Sequence, residues 1–369
     1  MTKASKPSAM APVLGRFSSS LQTPSQSLTL SSVGISGLTL HGGYGLSSRL
    51  HGLTLDQLVS ATVVLHNSTV VTASKTSNSD LFWALRGAGA AFGIVTDFKF
   101  NTFNAPESNL VFSYNLSPAN TSQLANILTA LQNFTIHDQP PELNMRMFLP
   151  NQLTGVYYGN RSTFDTIMNP LLEKLNIPLS GRGAGTVSAK GWIDTLTSFS
   201  NGPLRQPEIY DYHENFYAKS LMPDELSPAA MTALADYYFT TARSIRGRSW
   251  YLLIDMHGGQ GSAISKVPAD ETSYSHRNAV FKMQFNDRIF PDSATYTPKM
   301  MEFLNGWVNA IEKASEGEQF GMYINYADTN LTKTEAHSRY WGGHYEKLVG
   351  IKGVYDPKKV FEGPQLVGS

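Results

Sequence analysis

Apolar residues along this chain switch repeatedly between alternation and helical spacing, and the switches mark its elements. Ala61-Thr62-Val63-Val64-Leu65 reads as a buried strand and Thr69-Val70-Val71-Thr72-Ala73 as a second. The polar break between them, His66-Asn67-Ser68, makes the pair a hairpin-like signal. Leu81 to Arg86 carries an apolar face at helical spacing behind Asp80, a candidate N-cap. Ile94 to Phe100 alternates like a half-buried strand. Beyond it, Leu110 to Leu116 predicts a strand, and Leu124, Ile127, Leu128 and Leu131 predict an amphipathic helix. Leu143 to Leu149 and Leu153 to Tyr158 predict strands on either side of Pro150-Asn151. Phe164, Ile167, Met168, Leu171, Leu172 and Leu175 mark a second helix, with a bend expected at Pro170. Later come strands at Tyr251–Met256, Ala279–Phe285 and Gly321–Tyr326 and a helix around Met301–Ile311. The order strand, helix, strand, strand, helix predicts an α+β layer, with helices covering one face of an antiparallel sheet.

Composition narrows the picture. A chain of 369 residues with 41% hydrophobic and 11% aromatic residues can bury one large core or two. Lys and Arg together number 29, matched by 29 Asp and Glu, so no electrostatic footprint for nucleic acid is visible. Cysteine is absent, which removes disulfides, thiolate nucleophiles and Cys-ligated metals; no second His stands at metal-binding spacing from His257. No apolar run approaches membrane-spanning length, and no signal peptide is recognisable, so the compartment stays open. Sequons at Asn67, Asn115, Asn120, Asn133, Asn160 and Asn330 read either as glycan acceptors on a secreted chain or as chance. Residues 1–32 are rich in Ser, Pro, Lys and Thr, with no acidic residue before Asp56, a composition that suits a mobile or atypical tail.

The strongest chemical lead is Val33-Gly34-Ile35-Ser36-Gly37 followed by His41-Gly42-Gly43-Tyr44-Gly45. Glycines let backbone N–H groups approach a ligand and can build an anion-binding nest. The spacing is neither the dinucleotide fingerprint nor a P-loop, so on residues alone a turn-rich connection is the favoured reading.

These residues also carry a resemblance. Gly42-Gly43-Tyr44-Gly45, His51-Gly52-Leu53, Asp80-Leu81-Phe82-Trp83-Ala84-Leu85-Arg86-Gly87 and Phe92-Gly93-Ile94-Val95-Thr96 resemble the second subdomain of a PCMH-type FAD-binding domain in berberine-bridge-type oxidases. Asn215 to Leu221 and Asp255-Met256-His257-Gly258-Gly259 are similar to the substrate domain of the fungal, glucooligosaccharide-oxidase-like members. Tyr323-Ile324-Asn325-Tyr326-Ala327-Asp328, Tyr340-Trp341-Gly342 and Tyr355-Asp356-Pro357 resemble the family's closing segment. The resemblance implies a partial FAD domain over 33–104, a substrate domain over 105–322 and a segment over 323–369 that returns to the FAD domain.

It also implies chemistry. FAD would take a hydride from an alcohol or sugar hydroxyl carbon, or from a secondary-metabolite substrate, and O₂ would reoxidise it. Val33, Gly34, Gly37, Gly42, Gly43, Tyr44, Gly45, Gly93, Ile94, Val95 and Asn325 would contact the flavin. Tyr323 would be the base and Asp255 the acceptor of its proton; strand alternation puts Tyr323 and Asn325 on one face and Tyr326 on the other. His257 reads as structural, Trp83 and Phe92 as core, and Lys219 as either a solvated charge or a substrate contact; Arg86 reads as a phosphate contact or a salt bridge. The family's Arg-x-Gly-Gly-His loop has no match in residues 1–32, and a Cys relatives carry near Leu30 is missing. The expectation is a shortened flavin domain holding FAD weakly or non-covalently. The alternative is a non-redox carbohydrate-binding remnant or a cofactor-free isomerase or cyclase. Lys359 and His344 stand where relatives have Asn.

Overall fold

The structure is a computed structural model that describes residues 34–149, 151–200, 214–290 and 294–368. Two antiparallel sheets organise it. The smaller contains β1 (Leu58–Val64), β2 (Val70–Ser74) and β3 (Ile94–Phe100) in the order β2-β1-β3. Ala61, Val63 and Ala73 turn inward onto Leu81, Phe82 and Leu85 of the helix Ser79–Ala88, while Val70 and Ile94 face outward. The hairpin and the third strand expected from the sequence are present. Asp80 does not cap the helix. Asn78 precedes it with φ 46°, and the Asp80 carboxylate accepts from Leu81 N and from the Tyr355 hydroxyl, each at 2.8 Å.

The larger sheet has seven strands: β4 (Asn109–Asn115), β5 (Leu143–Leu149), β6 (Gln152–Tyr157), β7 (Thr186–Lys190), β8 (Phe216–Leu221), β9 (Arg248–Met256) and β10 (Phe281–Ile289). Their order is β7-β4-β6-β5-β9-β10-β8, antiparallel throughout. Helices Thr121–His137, Pro228–Thr240 and Pro298–Ala314 pack on one another and cover one face, as the α+β pattern predicted. Met145, Met147, Leu252, Ile254, Met256, Met283 and Phe285 point into that core. Residues two apart share a face, so Asn144, Arg146, Asp255, Lys282 and Gln284 lie on the other. Helix starts follow ordinary capping chemistry: Asn120 and Asn160 accept from Gln123 N and Thr163 N at 3.0 and 2.9 Å, which gives two sequon asparagines a structural reason.

The expected strand Gly321–Tyr326 is not one. Gly321 makes a single bridge to Met222, and Ile324–Tyr326 turn as a 3₁₀ helix. Tyr326 N donates to Tyr323 O at 2.8 Å and Tyr323 N to Ser220 Oγ at 2.8 Å, so the donors a ladder would need are used locally. Helices Lys333–Trp341 and Tyr345–Tyr355 then carry the chain back to the small sheet's helix, where Trp341 Nε1 donates to Gly87 O at 3.1 Å and Lys352 Nζ to Ala91 O at 2.5 Å.

Candidate active site

The glycine stretch and the segment bearing Tyr323 meet. Gly42 and Gly43 have φ of 137° and 88°, a bend closed by Leu55 N to Gly42 O at 3.1 Å and Thr54 N to Gly43 O at 2.9 Å. The bend brings the backbone N–H of Gly43 to the Tyr323 phenol oxygen at 3.0 Å and that of Tyr44 at 3.4 Å. Asn325 Nδ2 donates to the same oxygen at 3.0 Å and to Leu38 O at 3.2 Å. On the other side, Tyr44 donates to Asn144 Oδ1 of β5 at 3.3 Å, and Gly45 O accepts from Asn144 Nδ2 at 3.4 Å. The loop is thus held between the C-terminal segment and the polar face of the large sheet.

On that face a row of charge crosses three strands. Arg146, Asp255 and Lys282 are register partners on β5, β9 and β10. Arg146 Nε donates to Asp255 Oδ1 at 3.0 Å, and Lys282 Nζ lies 2.6 Å from Asp255 Oδ2; all three side chains are buried. Lys282 Nζ also donates to the Tyr326 hydroxyl at 3.0 Å and sits over the rings of Tyr326, Tyr44 and Tyr323 at 4.6, 4.7 and 5.5 Å. Burial alone would raise the Asp255 carboxyl; Arg146 and Lys282 outweigh it and hold the group below its usual range. Burial lowers Lys282, with Asp255 opposing. Burial, then the field of Asp255, pushes the Tyr326 phenol well above its ordinary value.

Two expectations change here. Asp255 was expected to serve Tyr323, but the Tyr323 phenol bonds to the glycine loop and Asn325, and it is Tyr326 that connects to Asp255, through Lys282. The two tyrosines were expected on opposite faces; in a 3₁₀ turn rather than a strand they share one cluster, with perpendicular rings 5.1 Å apart. Arg146, Lys282 and Gln284 were missed. Their signal was present in the alternation of polar residues along Asn144-Met145-Arg146 and Lys282-Met283-Gln284.

The remaining candidates sort by contact. His257 is structural: Nδ1 bonds Ala279 O at 3.0 Å, leaving Nε2 to accept from the Tyr274 hydroxyl at 3.2 Å, and burial pulls its pKa down to about 3. Lys219 is neither solvated nor on the site face; it is buried and paired with Asp328. Arg86 donates to Glu271 O at 2.8 Å and stacks on Phe82, and Trp83 and Phe92 are core. Gly93 directly precedes β3 and packs against Val63 and Val64, with Ile94 exposed and Val95 half-buried beside it; the contacts of Gly93 run to β1. Val33 lies outside the described residues. Among those described, no group of three or more acidic, His or Cys side chains is placed to hold a metal.

Residues 322–368 match the sequence profile of the family described as berberine and berberine like. Over 344 residues the chain is 40% identical to the glucooligosaccharide oxidase of Sarocladium strictum, covering 90% of this chain and 67% of that one. The chain belongs to the berberine-bridge-like FAD-linked oxidases. Among solved structures of this family, the xylooligosaccharide oxidase of Myceliophthora thermophila bound to xylobiose superposes with a TM-score of 0.83 at 39% identity, covering 91% of this chain and 71% of that one. The glucooligosaccharide oxidase of Acremonium strictum, whose FAD is 6-S-cysteinyl and 8α-N1-histidyl, does so at 0.84 and 39%, with the same coverage. The berberine-bridge-like chain described here has no cysteine, so a cysteinyl link has no sulfur within these residues.

The residues present fit a flavin. A Cβ built on Gly34 or Gly37 meets nothing within 4 Å, which leaves the backbone there open to a ligand. Beside it, Thr39 Oγ1 and His41 Nε2 are buried without a hydrogen-bond partner, a costly state unless a ligand or water meets them. Gly42 and Gly43 serve differently: their missing side chains make room for Tyr323 and Thr54.

Proposed function

We propose that this berberine-bridge-like oxidase acts on a hydroxyl-bearing carbon of a short oligosaccharide, with Tyr326 taking the hydroxyl proton. The observation that carries the reading is the Lys282 ammonium, held by Asp255 and donating to the Tyr326 phenol. The substrate class comes from the relatives, which are named for glucooligosaccharides and xylooligosaccharides.

FAD, when bound, supplies the hydride acceptor and passes electrons to O₂. Gly34 and Gly37 would hold it with open backbone, and Thr39 and His41 with their unpartnered polar atoms. Tyr326 is a neutral phenol at rest, because burial opposes its ionisation. Its deprotonated form is the base. The Lys282 ammonium, donating to the phenol oxygen at 3.0 Å, favours negative charge there, against burial and the field of Asp255. Asp255 itself accepts no substrate proton; it keeps Lys282 charged and aimed. Two residues along β10 from Lys282, Gln284 Oε1 is buried without a partner and is placed to accept from a substrate hydroxyl. The packed tyrosines exclude water from Lys282, so its charge acts at low local dielectric.

The test is anaerobic mixing of flavin-loaded protein with xylobiose, following flavin bleaching. Tyr326→Phe should slow it about 10²–10⁴-fold, while Tyr323→Phe, which keeps the ring against Gly42, separates the two tyrosines. A Tyr326→Phe protein that bleaches at the parental rate removes Tyr326 as base. No bleaching by the parental protein with any short oligosaccharide removes the substrate class.

A further inference from the structure

The segment from Gly321 to Asp328 crosses the free edge of β8, the terminal strand of the large sheet, and is gripped on both faces. On the site face, Ser220 Oγ accepts from Tyr323 N at 2.8 Å, and at the strand end Met222 N donates to Gly321 O at 2.8 Å. Ser220 is the register partner of Gln284, which places it on the polar face. Lys219 is the partner of Phe285 and so faces the helix-covered core. There it forms a buried ion pair with Asp328, two residues after Tyr326.

We propose that the Lys219–Asp328 pair is a clasp that sets the position of Tyr326 opposite Lys282, making Lys219 and Asp328 positioning residues for the proton transfer. The proposal rests on Tyr326 being the base. The clasp is built from more than two charges. Lys219 Nζ also donates to Asn305 Oδ1 at 2.9 Å, and Tyr217 donates to Asp328 Oδ1 at 2.6 Å. Asp328 N donates to the Tyr340 hydroxyl at 2.9 Å and Asp328 O accepts from Gln365 Nε2 at 2.8 Å. Asp328 is therefore fixed at side chain and backbone alike. Between the site-face grip at Tyr323 and this anchor lie four residues, Ile324 to Ala327, and one of them is Tyr326. A turn pinned this closely at both ends has little freedom to move its phenol relative to β10. Nothing of the pair reaches the site face, so contact with substrate does not account for it.

The test uses Lys219→Met/Asp328→Asn, which removes both charges and leaves neither uncompensated. Turnover per bound flavin should fall on the order of a hundredfold with KM little changed, the signature of a displaced group, and Lys219→Arg should recover most of it. In flavin-free protein, hydrogen exchange at the Tyr323 and Tyr326 amides should quicken while β9 and β10 stay protected. Should the double variant fail to fold, Tyr217→Phe removes one bond to Asp328 without altering charge and should show the same local exchange with a several-fold loss of turnover. Unchanged turnover with unchanged local exchange overturns the proposal, as does exchange that quickens uniformly. If Tyr326→Phe keeps full activity, the base assignment fails instead, and the exchange data alone decide whether the clasp holds the turn.

Discussion

A Cβ on Gly42 would stand 2.7 Å from Cε2 of Tyr323 and 2.8 Å from its hydroxyl oxygen. With φ of 137° Gly42 also occupies backbone space that side-chain-bearing residues avoid. Gly42→Ala should therefore cost about 1–3 kcal/mol of stability, read from urea unfolding. Part of that cost is the collision with the ring, so adding Tyr323→Ala should give a double variant more stable than the sum of the two losses. Strict additivity would show that the ring and the glycine do not press on each other.

With Tyr326 as the proposed base, its raised pKa should set the pH dependence of turnover. The base form is the phenolate, and the phenol holds its proton above the ordinary tyrosine value because it is buried, with Asp255 adding to the effect. Turnover should then climb with pH across the neutral and mildly alkaline range without a plateau. The charged groups facing the phenol are Lys282, Asp255 and Arg146. Lys282→Met removes the ammonium that favours the phenolate, so its rate at any given pH should be lower and its rise displaced to higher pH. A parental rate that is flat from pH 6 to 9 (about the span in which His and phenol titrations separate) would contradict this.

What the sequence disclosed followed from which physics dominated locally. The three strands of the small sheet, five of the seven strands of the large one and the helices Thr121–His137 and Pro298–Ala314 were legible from their periodic apolar positions, whereas β7 and β8 were not read as strands. The end of the chain was less so. Gly321 to Tyr326 alternates like a strand, but side-chain bonds from β8 and a local turn take its donors, and no alternation pattern reveals competitors that far away in sequence. The helix Lys333–Trp341 had left a readable mark, the capping box Thr332 to Glu335, with Thr332 N donating to the glutamate at 2.9 Å. At the site, Asp255 was identifiable; alternation puts Arg146 and Lys282 on a polar strand face, but that they meet Asp255 depends on cross-strand register, which alternation does not reveal. The tyrosine choice turned on a strand that does not form.

Arg277 and Asp56 form a two-pronged ion pair at 2.9 and 2.8 Å that ties the turn after the glycine loop to the connection between β9 and β10. Asp56 Oδ2 also accepts from Leu53 N at 2.8 Å. Asp56→Asn leaves the buried Arg277 guanidinium without its carboxylate and should cost about 3–5 kcal/mol. Replacing both, Arg277→Met with Asp56→Asn, should cost less than Asp56→Asn alone, since no buried charge is orphaned. The comparison is made by chemical unfolding. Equal losses for the single and the double variant would mean the pair is solvated and weak.

His257 makes acid stability a property of the same cluster. Burial draws its pKa from 6.5 in the free side chain to about 3, with the bond to Ala279 O only partly opposing. Between those values the unfolded chain binds a proton that the native chain refuses. Stability conferred by the neutral ring is complete above the unfolded pKa and is lost as pH falls, by about 1.4 kcal/mol per pH unit for each such group. The loss levels off only once the native ring itself protonates. His276, drawn down to about 4 by burial, adds to the slope over a slightly shorter range. His257→Gln keeps a donor for Ala279 O and removes the titration. At neutral pH the variant should be less stable than the parent, through lost packing against Tyr44 and the changed partner for Tyr274. On acidification the parent should lose stability faster, so the two unfolding curves converge below about pH 5. Parallel curves would mean that His257 takes up a proton in the native state near its ordinary pKa, and that the ring is not sealed among Tyr44, Tyr274 and Ala279.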